Sequence, residues 1–473
     1  MNRLYEGRET KSTSTKDYIV VMTAGIGLFL STLDTGIINV ALPTLSQAFH
    51  STVSSIAWAV TLYTLALTGT IIVFGRLGDK YGRLQIYTLG LVVFAVSSVL
   101  CGLSQSTVEI VAFRTLQGIG AAMLQGTAIA IITTTIPLGR RGRALGTLGI
   151  LMGLGPVVGP SAGGILISFL NWRWIFWINT PFVGIGLIGC RHLFRTISEN
   201  HRTIPLEAKG NLLLSVSVLA LLLVLSTWAT AGLYSPQVLS LLGVFVGVFV
   251  LFVIHELHTK QPILDLHLFL KREFTSTVLA TFVFGGASAI GFIVPPYFLE
   301  QVSHLATWQV GLVNLASPFG VVVWSKITGR LLSRWGSIRL MVIGLITMLV
   351  SYLILGQMQA TWSSWLLVIL LFIYGSGGGL FIPSNISAIM KSVGREMQGT
   401  IGAVQRMVLN LGVAVYTTVT ATLISVTSHT KTHYLMNSFR QSWNDAALTI
   451  LLSLVVFLVT KMDLRGLIKR IRF

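Results

Sequence analysis

Residues 75–82 read Gly-Arg-Leu-Gly-Asp-Lys-Tyr-Gly, and residues 329–336 repeat the pattern as Gly-Arg-Leu-Leu-Ser-Arg-Trp-Gly. Each copy follows the second long apolar stretch of a block of six. Such a repeat predicts two parallel helical blocks related by an axis along the membrane normal, which is a transporter architecture. The distance between the copies leaves room for one further helix pair between the two blocks.

The composition indicates a membrane protein. The 473-residue chain is 53% hydrophobic and only 10% charged, whereas soluble proteins carry about 25% charged residues. The apolar residues come in blocks of about 20, the length at which a helix crosses ~30 Å of hydrocarbon. We predict an all-α polytopic fold of about fourteen transmembrane helices, at 18–43, 53–75, 85–104, 108–136, 144–169, 174–194, 210–230, 237–256, 275–299, 307–327, 338–357, 364–385, 399–426 and 445–462.

The net charge of +18 follows the predicted topology. Lys and Arg cluster in alternate loops, and the intervening loops hold little beyond Arg173, Lys431 and Arg440. By the positive-inside rule both termini face the cytoplasm, which requires an even number of spans. We therefore expect the basic residues to set orientation in the bilayer rather than to bind nucleic acid. Cys101 and Cys190 lie in apolar blocks, so neither a disulfide framework nor a metal site is expected.

The repeat and the charged loops together predict the domain organisation. Two six-helix bundles, one for each copy of the repeat, flank the extra pair of helices. The predicted boundaries are a cytoplasmic N-terminal segment 1–17, an N-terminal six-helix bundle 18–194, a cytoplasmic loop 195–209, two inserted central helices 210–256, a cytoplasmic linker 257–274, a C-terminal six-helix bundle 275–462 and a basic cytoplasmic tail 463–473.

Two opposite charges fall inside predicted spans at similar depth. Asp34 lies nine residues before Pro43, and Arg114 lies six residues after the predicted outer end of its span at Val108. A charge inside the membrane is costly, so such residues are functional candidates by default. Burial and a nearby guanidinium act oppositely on the proton affinity of a carboxyl group. We predict that Asp34 carries a proton and that Arg114 tunes it, with a purely structural ion pair as the alternative.

The loop motif itself is a candidate conformational latch. Glycines such as Gly75 allow a tight turn between closely packed helices. Asp79 can accept hydrogen bonds from a helix N-terminus or pair with Arg83, which would hold two bundles together in one state. The alternative is a short loop that merely carries cytoplasmic charge.

The fifth predicted span is rich in glycine and proline. Glycines spaced by four residues allow another backbone to approach closely, and prolines remove backbone hydrogen bonds and bend a helix. This pattern predicts a hinge or a seal at the interface between the bundles, with a simple packing helix as the alternative. The residues concerned are Gly155, Pro156, Gly159, Pro160 and Gly163.

Taken together, these motifs resemble the major facilitator superfamily, and the helix count resembles its drug:proton antiporter subgroup with fourteen spans, the QacA/EmrB type. The resemblance covers most of the chain and implies a two-bundle fold and proton-driven drug export. The matching stretches are Leu33-Asp34 through Pro43, Gly75 through Leu84, Arg114 with Gln117-Gly118, Gly155-Pro156 through Gly163-Gly164, and Trp172 through Phe176 with Asn179 and Pro181.

Departures from that subgroup bear on the substrate. Ser333 replaces the acid of the loop motif in the second copy, so the latch is expected to be asymmetric. Relatives that export multivalent cations tend to carry extra acids in late helices, where this chain has Gln405, Arg406 and Asn410. We expect lipophilic monocations, zwitterions or neutral amphiphiles as substrates, and anionic amphiphiles stay open.

The substrate pocket is predicted between the two bundles near the membrane midplane. Ordinary helix packing is an equal alternative for every candidate. The candidates are Tyr63, Gln117, Met152, Phe292, Asn314, Tyr374, Phe381, Asn385, Gln405 and Arg406.

These features predict a proton-coupled antiporter of the cell membrane that exports lipophilic drugs or other amphiphiles by alternating access. We expect a monomer with no cofactor other than the coupling proton. An exporter of an endogenous metabolite, peptide or lipid is the alternative. A membrane-embedded enzyme is disfavoured because the spans contain no Ser–His or metal-ligand set, and a sensor is disfavoured by the two-block repeat.

Overall fold

The computed structural model describes residues 15–197, 207–232, 234–259, 262–394, 397–427 and 432–461. Most of the predicted N-terminal segment, much of the loop 195–209 and the whole tail 463–473 lie outside these ranges. The described residues form sixteen α-helices, one short 3-10 helix at Leu266–Leu270 and no strand. The fold is therefore all-helical, as predicted.

The helices α1 to α7 form the N-terminal half, α8 and α9 a central hairpin, and α10 to α16 the C-terminal half. Their bounds are α1 Thr15–Ala48, α2 Val53–Tyr81, α3 Arg83–Leu103, α4 Thr107–Thr135, α5 Leu138–Phe169, α6 Trp174–Trp177, α7 Asn179–Thr196, α8 Ala208–Ala231, α9 Pro236–His258, α10 Arg272–Gln301, α11 Thr307–Asn314, α12 Ala316–Trp335, α13 Ser337–Leu355, α14 Ser364–Lys391, α15 Gln398–Thr427 and α16 Thr432–Lys461.

The pattern of helix packing repeats between the two halves. In the N-terminal half, α1 packs on α5, and α4 packs on both α2 and α3. In the C-terminal half, α10 packs on α15, and α14 packs on both α12 and α13. The last helix of the N-terminal half, α7, contacts α1 and α3. The last helix of the C-terminal half, α16, contacts their counterparts α10 and α13. The loop-motif repeat in the sequence thus marks a repeat in the tertiary structure.

Membrane-spanning character is clear for most of the long helices. Within the described ranges, ten helical segments are long and apolar enough to cross a bilayer. The two arms of α5, Leu138–Pro156 and Val158–Phe169, meet at 40° and form an eleventh if they count as one span. The chain is a polytopic membrane protein, and the count of fourteen spans stays a prediction.

The central hairpin lies beside the junction of the two halves. Helix α8 packs against both α2 and α15, while α9 packs against α8. Most of α9 is exposed, and its exposed side chains are apolar, including Leu242, Phe249 and Leu251. Because such a surface is stable only against hydrocarbon, we assign it to the lipid.

Candidate functional site

The N-terminal half encloses an ion pair between α1 and α4. One guanidinium nitrogen of Arg114 lies 2.5 Å from a carboxylate oxygen of Asp34. The residue Asp34 is 2% exposed and Arg114 is fully buried. The structure therefore brings the two predicted proton-coupling residues into direct contact, and neither side chain faces lipid.

Neutral polar groups surround the pair and orient the carboxylate. The Gln117 side chain donates a hydrogen bond to Asp34 at 3.0 Å and accepts one from Arg114 at 2.7 Å. It also donates to the Ser98 hydroxyl at 2.8 Å, and Asn179 donates to Asp34 at 3.3 Å. A buried charge is tolerated when its hydrogen-bonding capacity is met in this way.

An aromatic ring covers the guanidinium. The Arg114 guanidinium carbon lies 4.2 Å from the centre of the Tyr63 ring, which is a cation–π distance. Tyr63 and Gln117, both predicted substrate residues, contact the ion pair: the Tyr63 ring lies against Arg114, and Gln117 bonds to Asp34. Ser98 was not predicted as part of the site, because the sequence offers no signal for it beyond a polar residue in an apolar span. Asn179 had been noted only as part of a family motif.

The loop motif of the N-terminal half joins α2 to the start of α15 in the other half. The Asp79 carboxylate accepts hydrogen bonds from the backbone N–H groups of Gly399 at 3.0 Å and Thr400 at 2.8 Å. It also accepts one from the Thr400 hydroxyl at 3.0 Å and pairs with Arg83 at 2.8 Å. Because the N–H groups at a helix N-terminus lack partners within the helix, a carboxylate there is stabilised.

Close backbone approach supports this junction. A methyl group at Gly75 would lie 2.7 Å from the Ala403 Cβ and 2.8 Å from the Gly399 carbonyl oxygen. No side chain fits at that separation, so glycine is what lets α2 and α15 touch. We call this end of the bundle the α2–α3 end. The sequence prediction assigns it to the cytoplasm.

The second copy of the motif behaves differently. The Ser333 hydroxyl is exposed and bonds only locally, to the Arg330 carbonyl oxygen at 3.3 Å. The two halves nevertheless meet here by backbone packing, because a methyl group at Gly329 would lie 2.8 Å from the Gly142 carbonyl oxygen. Along α5, Gly146 likewise faces the backbone of α12.

The predicted bundle-interface glycines of α5 lie elsewhere. Gly155 and Gly159 pack against the backbone of Leu33 and Gly36 in α1, so they contact a helix of their own half. Gly163 continues this contact along α1, and Pro156 and Pro160 lie in the same segment. The glycines that face the other half come earlier in α5, because the bend near Pro156 turns the second arm away.

One predicted substrate residue bridges the two halves. The guanidinium of Arg406 in α15 donates from Nε and Nη2 to the Gln125 side-chain oxygen in α4, at 3.1 and 2.9 Å. The Gln125 amide nitrogen in turn donates to the Ser31 hydroxyl at 2.9 Å. Gln125 therefore joins α1 and α15 through its two side-chain polar atoms.

The polar cluster buried within the C-terminal half is neutral. Asn385 donates to the Thr281 hydroxyl at 2.9 Å and accepts a hydrogen bond from Gln405 at 3.1 Å. These two amides lie in α14 and α15, as expected for neighbouring helices. The cluster holds two of the predicted substrate residues.

The remaining predicted substrate residues do not converge. Tyr374 stacks on Tyr352 with ring centres 5.3 Å apart, and Phe381 stacks on Phe284 at 4.4 Å. Both pairs belong to the core of the C-terminal half. Met152 is buried in an apolar cluster that includes residues of both halves and of the central hairpin. Two more stand apart: Phe292 is exposed and Asn314 ends α11.

Comparison with known proteins agrees with this fold. The profile of the Major Facilitator Superfamily matches residues 24–417. The chain is 30% identical to the riboflavin transporter RibZ of Clostridioides difficile strain 630, over 94% of this chain and 98% of the relative. It is 29% identical to the multidrug transporter protein MdtP of Bacillus subtilis strain 168, over 86% of this chain and 74% of the relative.

A solved structure shows the same architecture. The human organic anion transporter MFSD10 (TETRAN) superposes with a TM-score of 0.66, over 93% of this chain and 99% of that chain, at 16% identity. Two packed repeats of membrane-length helices are an architecture found in transporters. With the profile match and the full-length relative, the chain belongs to the Major Facilitator Superfamily.

Proposed function

We propose that the protein is a proton-coupled antiporter that exports lipophilic or amphiphilic small molecules, drugs among them, across the cell membrane. The observation that carries this proposal is the buried contact between Asp34 and Arg114. Burial and an adjacent guanidinium act oppositely on the proton affinity of a carboxyl group, so their balance depends on the distance between the two groups. Movement that changes this contact therefore binds or releases a proton.

The packing of α5 offers a way to link that movement to the transport cycle. Helix α5 meets α12 of the other half through Gly142 and Gly146, and it meets α1 through Gly155 and Gly159. A rotation of the two halves moves α5, and the backbone contact passes that motion to α1, which carries Asp34. Each proton that enters down the membrane potential supplies about 2.3 kcal/mol per 100 mV.

The structure fits one state of this cycle. Asp79 and Gly75 hold α2 against α15, so the α2–α3 end is closed. If that end faces the cytoplasm, as the positive-inside rule predicts, the closed end is the inner one and substrate would leave from the other side. Alternating access then requires release of the Asp79 contacts to open the inner end.

We further propose the fourteen-span arrangement of the QacA/EmrB type, with both termini in the cytoplasm. Besides the eleven segments counted above, α7, α15 and α16 are 18, 30 and 30 residues long. If all three cross the membrane, the total is fourteen, and α8 with α9 forms the inserted pair. Nothing in this arrangement calls for a second copy of the chain, so we propose a monomer.

The relatives support two substrate ranges. The likeness to MdtP favours multidrug export, and the likeness to RibZ, which extends over nearly the whole length of both chains, favours a metabolite such as a flavin. A metabolite transporter is therefore the second candidate. In both cases the proposed coupling through Asp34 is the same.

The test uses the full-length chain in proteoliposomes with an imposed pH gradient. Three probes differ in charge: ethidium, riboflavin and 8-anilinonaphthalene-1-sulfonate. We expect gradient-driven transport of at least one probe, and Asp34→Asn should abolish it while substrate-for-substrate exchange persists. Asp445→Asn, the same chemical change at a partly buried acid of α16, is the matched control and should transport normally. Full gradient-driven transport by Asp34→Asn would refute the proposal.

A further inference from the structure

The Arg406 guanidinium is a buried cation that has no acidic partner in the part of the chain that the structure describes. The residue is 2% exposed, and its two described hydrogen bonds go to one neutral atom, the side-chain oxygen of Gln125. Within the described ranges no carboxylate lies within ion-pair distance of it. Arg114, buried to the same degree, has Asp34 in contact.

This difference matters energetically. Removing a charge from water is costly, and a neutral amide offsets only part of that cost. Buried cations in proteins are therefore normally paired with an anion. Since the ion pair of the N-terminal half is internally balanced, Arg406 leaves a net positive charge between the two halves.

The position of Arg406 along α15 is also distinctive. Residues 398–407 of α15 are buried, and residues 408–411 are only partly buried. Below Arg406, toward the α2–α3 end, α15 is packed against Asp79 and Gly75. Arg406 thus lies at the end of the fully buried part of α15, next to the partly buried residues that follow it.

A second donor lies next to it. Asn410 is one helical turn further along α15, on the same face as Arg406. Its side-chain amide nitrogen is buried and has no hydrogen-bond partner among the described residues. Arg406 and Asn410 therefore place two hydrogen-bond donors, one of them positively charged, on one face of α15. Among the described residues, no negatively charged acceptor pairs with them.

We propose that Arg406, assisted by Asn410, binds an anionic group of the transported molecule, a carboxylate or sulfonate carried by an apolar body. This inference rests on the proposed transport function and narrows its substrate class to amphiphilic anions. The Gln125 oxygen accepts both hydrogen bonds from the guanidinium, and a bound anion would displace it. Because Gln125 belongs to the other half, that displacement would also remove one contact between the halves.

The experiment measures binding to the purified full-length chain in nanodiscs, with empty nanodiscs as blanks. The probes are 8-anilinonaphthalene-1-sulfonate and N-phenyl-1-naphthylamine, which share the aromatic body and differ by the sulfonate. We expect the sulfonate to bind more tightly to the wild type. Arg406→Gln should weaken sulfonate binding about tenfold to a hundredfold, as for loss of a charged hydrogen bond, and leave the neutral probe within about twofold.

Two further variants keep the test decisive. Arg406→Lys should retain a preference for the sulfonate because the charge remains, and Asn410→Leu should weaken sulfonate binding by a few-fold without a change of charge. Equal affinity of the wild type for both probes, or equal loss of both probes in Arg406→Gln with no selective loss in Asn410→Leu, would overturn the proposal.

The outcome is separable from that of the transport test. Asp34→Asn should keep the sulfonate preference in nanodiscs, because Asp34 contacts Arg114, Gln117 and Asn179 and not Arg406. If Asp34→Asn retained gradient-driven transport while Arg406→Gln lost sulfonate binding, the proton-coupling proposal would fail and the anion site would stand. The reverse pattern would remove the anion site alone.

Discussion

The two halves of this transporter share a packing pattern but differ in charge. Between α1 and α4, the N-terminal half buries the Asp34–Arg114 ion pair. In the C-terminal half, the corresponding interior holds the uncharged Asn385–Gln405 pair. Helix pairing depends on small residues and apolar contact, so it can repeat without repeating the polar groups. Among the described residues, a buried acid–arginine pair is therefore found in the N-terminal half and has no counterpart at the Asn385–Gln405 position.

The same asymmetry appears at the two loop motifs. Asp79 binds the N-terminus of α15 through three hydrogen bonds, whereas Ser333 makes only a local one. On that second side Gly329 and Gly142 bring the halves together by shape alone. One junction is thus held by hydrogen bonds to a carboxylate, and the other by close backbone packing.

The largest expected effect comes from leaving the buried acid without its partner. Arg114→Met should destabilise the protein by about 3–5 kcal/mol, because it strands the Asp34 carboxylate in the interior. The counterpart in the other half, Asn385→Leu, breaks only neutral hydrogen bonds and should cost about 1–2 kcal/mol. Thermal denaturation in detergent ranks the two variants.

A double variant sharpens that comparison. Combining Asp34→Asn with Arg114→Met removes both charges and should recover much of the lost stability. If Asn385→Leu were as damaging as Arg114→Met, or if the double variant gained nothing, the ionic difference between the halves would not be what matters.

The next effect concerns the latch. Asp79→Ala removes the hydrogen bonds to Gly399 and Thr400, and loss of charged hydrogen bonds of this kind costs about 1.5–3 kcal/mol. We expect the α2–α3 end to open more often. Spin labels at Tyr81 and Lys391, one in each half, should then report longer distances by pulsed electron resonance. Ser333→Ala is the matched control in the other copy, and a shift of similar size there would contradict the asymmetry.

The smallest expected effect lies at the glycine junction. In Gly329→Ala the new methyl group would lie 2.8 Å from the Gly142 carbonyl oxygen, so α5 and α12 must separate slightly, at about 1–3 kcal/mol. Gly247→Ala in α9 is the control, because nothing lies within 4 Å of its added methyl group. Transport rate and melting temperature should fall in the first variant only.

Much of the fold could be read from the sequence. Apolar blocks of membrane length, alternating basic loops and the repeated loop motif gave an all-helical chain in two related halves, because bilayer thickness and backbone hydrogen bonding leave few alternatives. The depth of Asp34 and Arg114 along their helices also followed from residue counting at 1.5 Å per residue.

Which residues share a site was harder to predict. Gln117 and Tyr63 were assigned to the substrate pocket, yet they contact the ion pair. Gly155 and Gly159 were assigned to the bundle interface, yet they face α1. Residue spacing fixes the face of a helix on which a side chain lies, but the rotation of that helix in the bundle depends on all its neighbours at once.

The sequence by itself determined that this is a membrane transporter of two helical repeats with an acid and an arginine buried at similar depth. The tertiary structure decided that those two touch, that Asp79 binds across the halves to α15, and that Arg406 meets Gln125 instead of an acid. Depth in the membrane is a one-dimensional property that residue counting preserves. Contact between residues 281 positions apart arises only when the helices have packed.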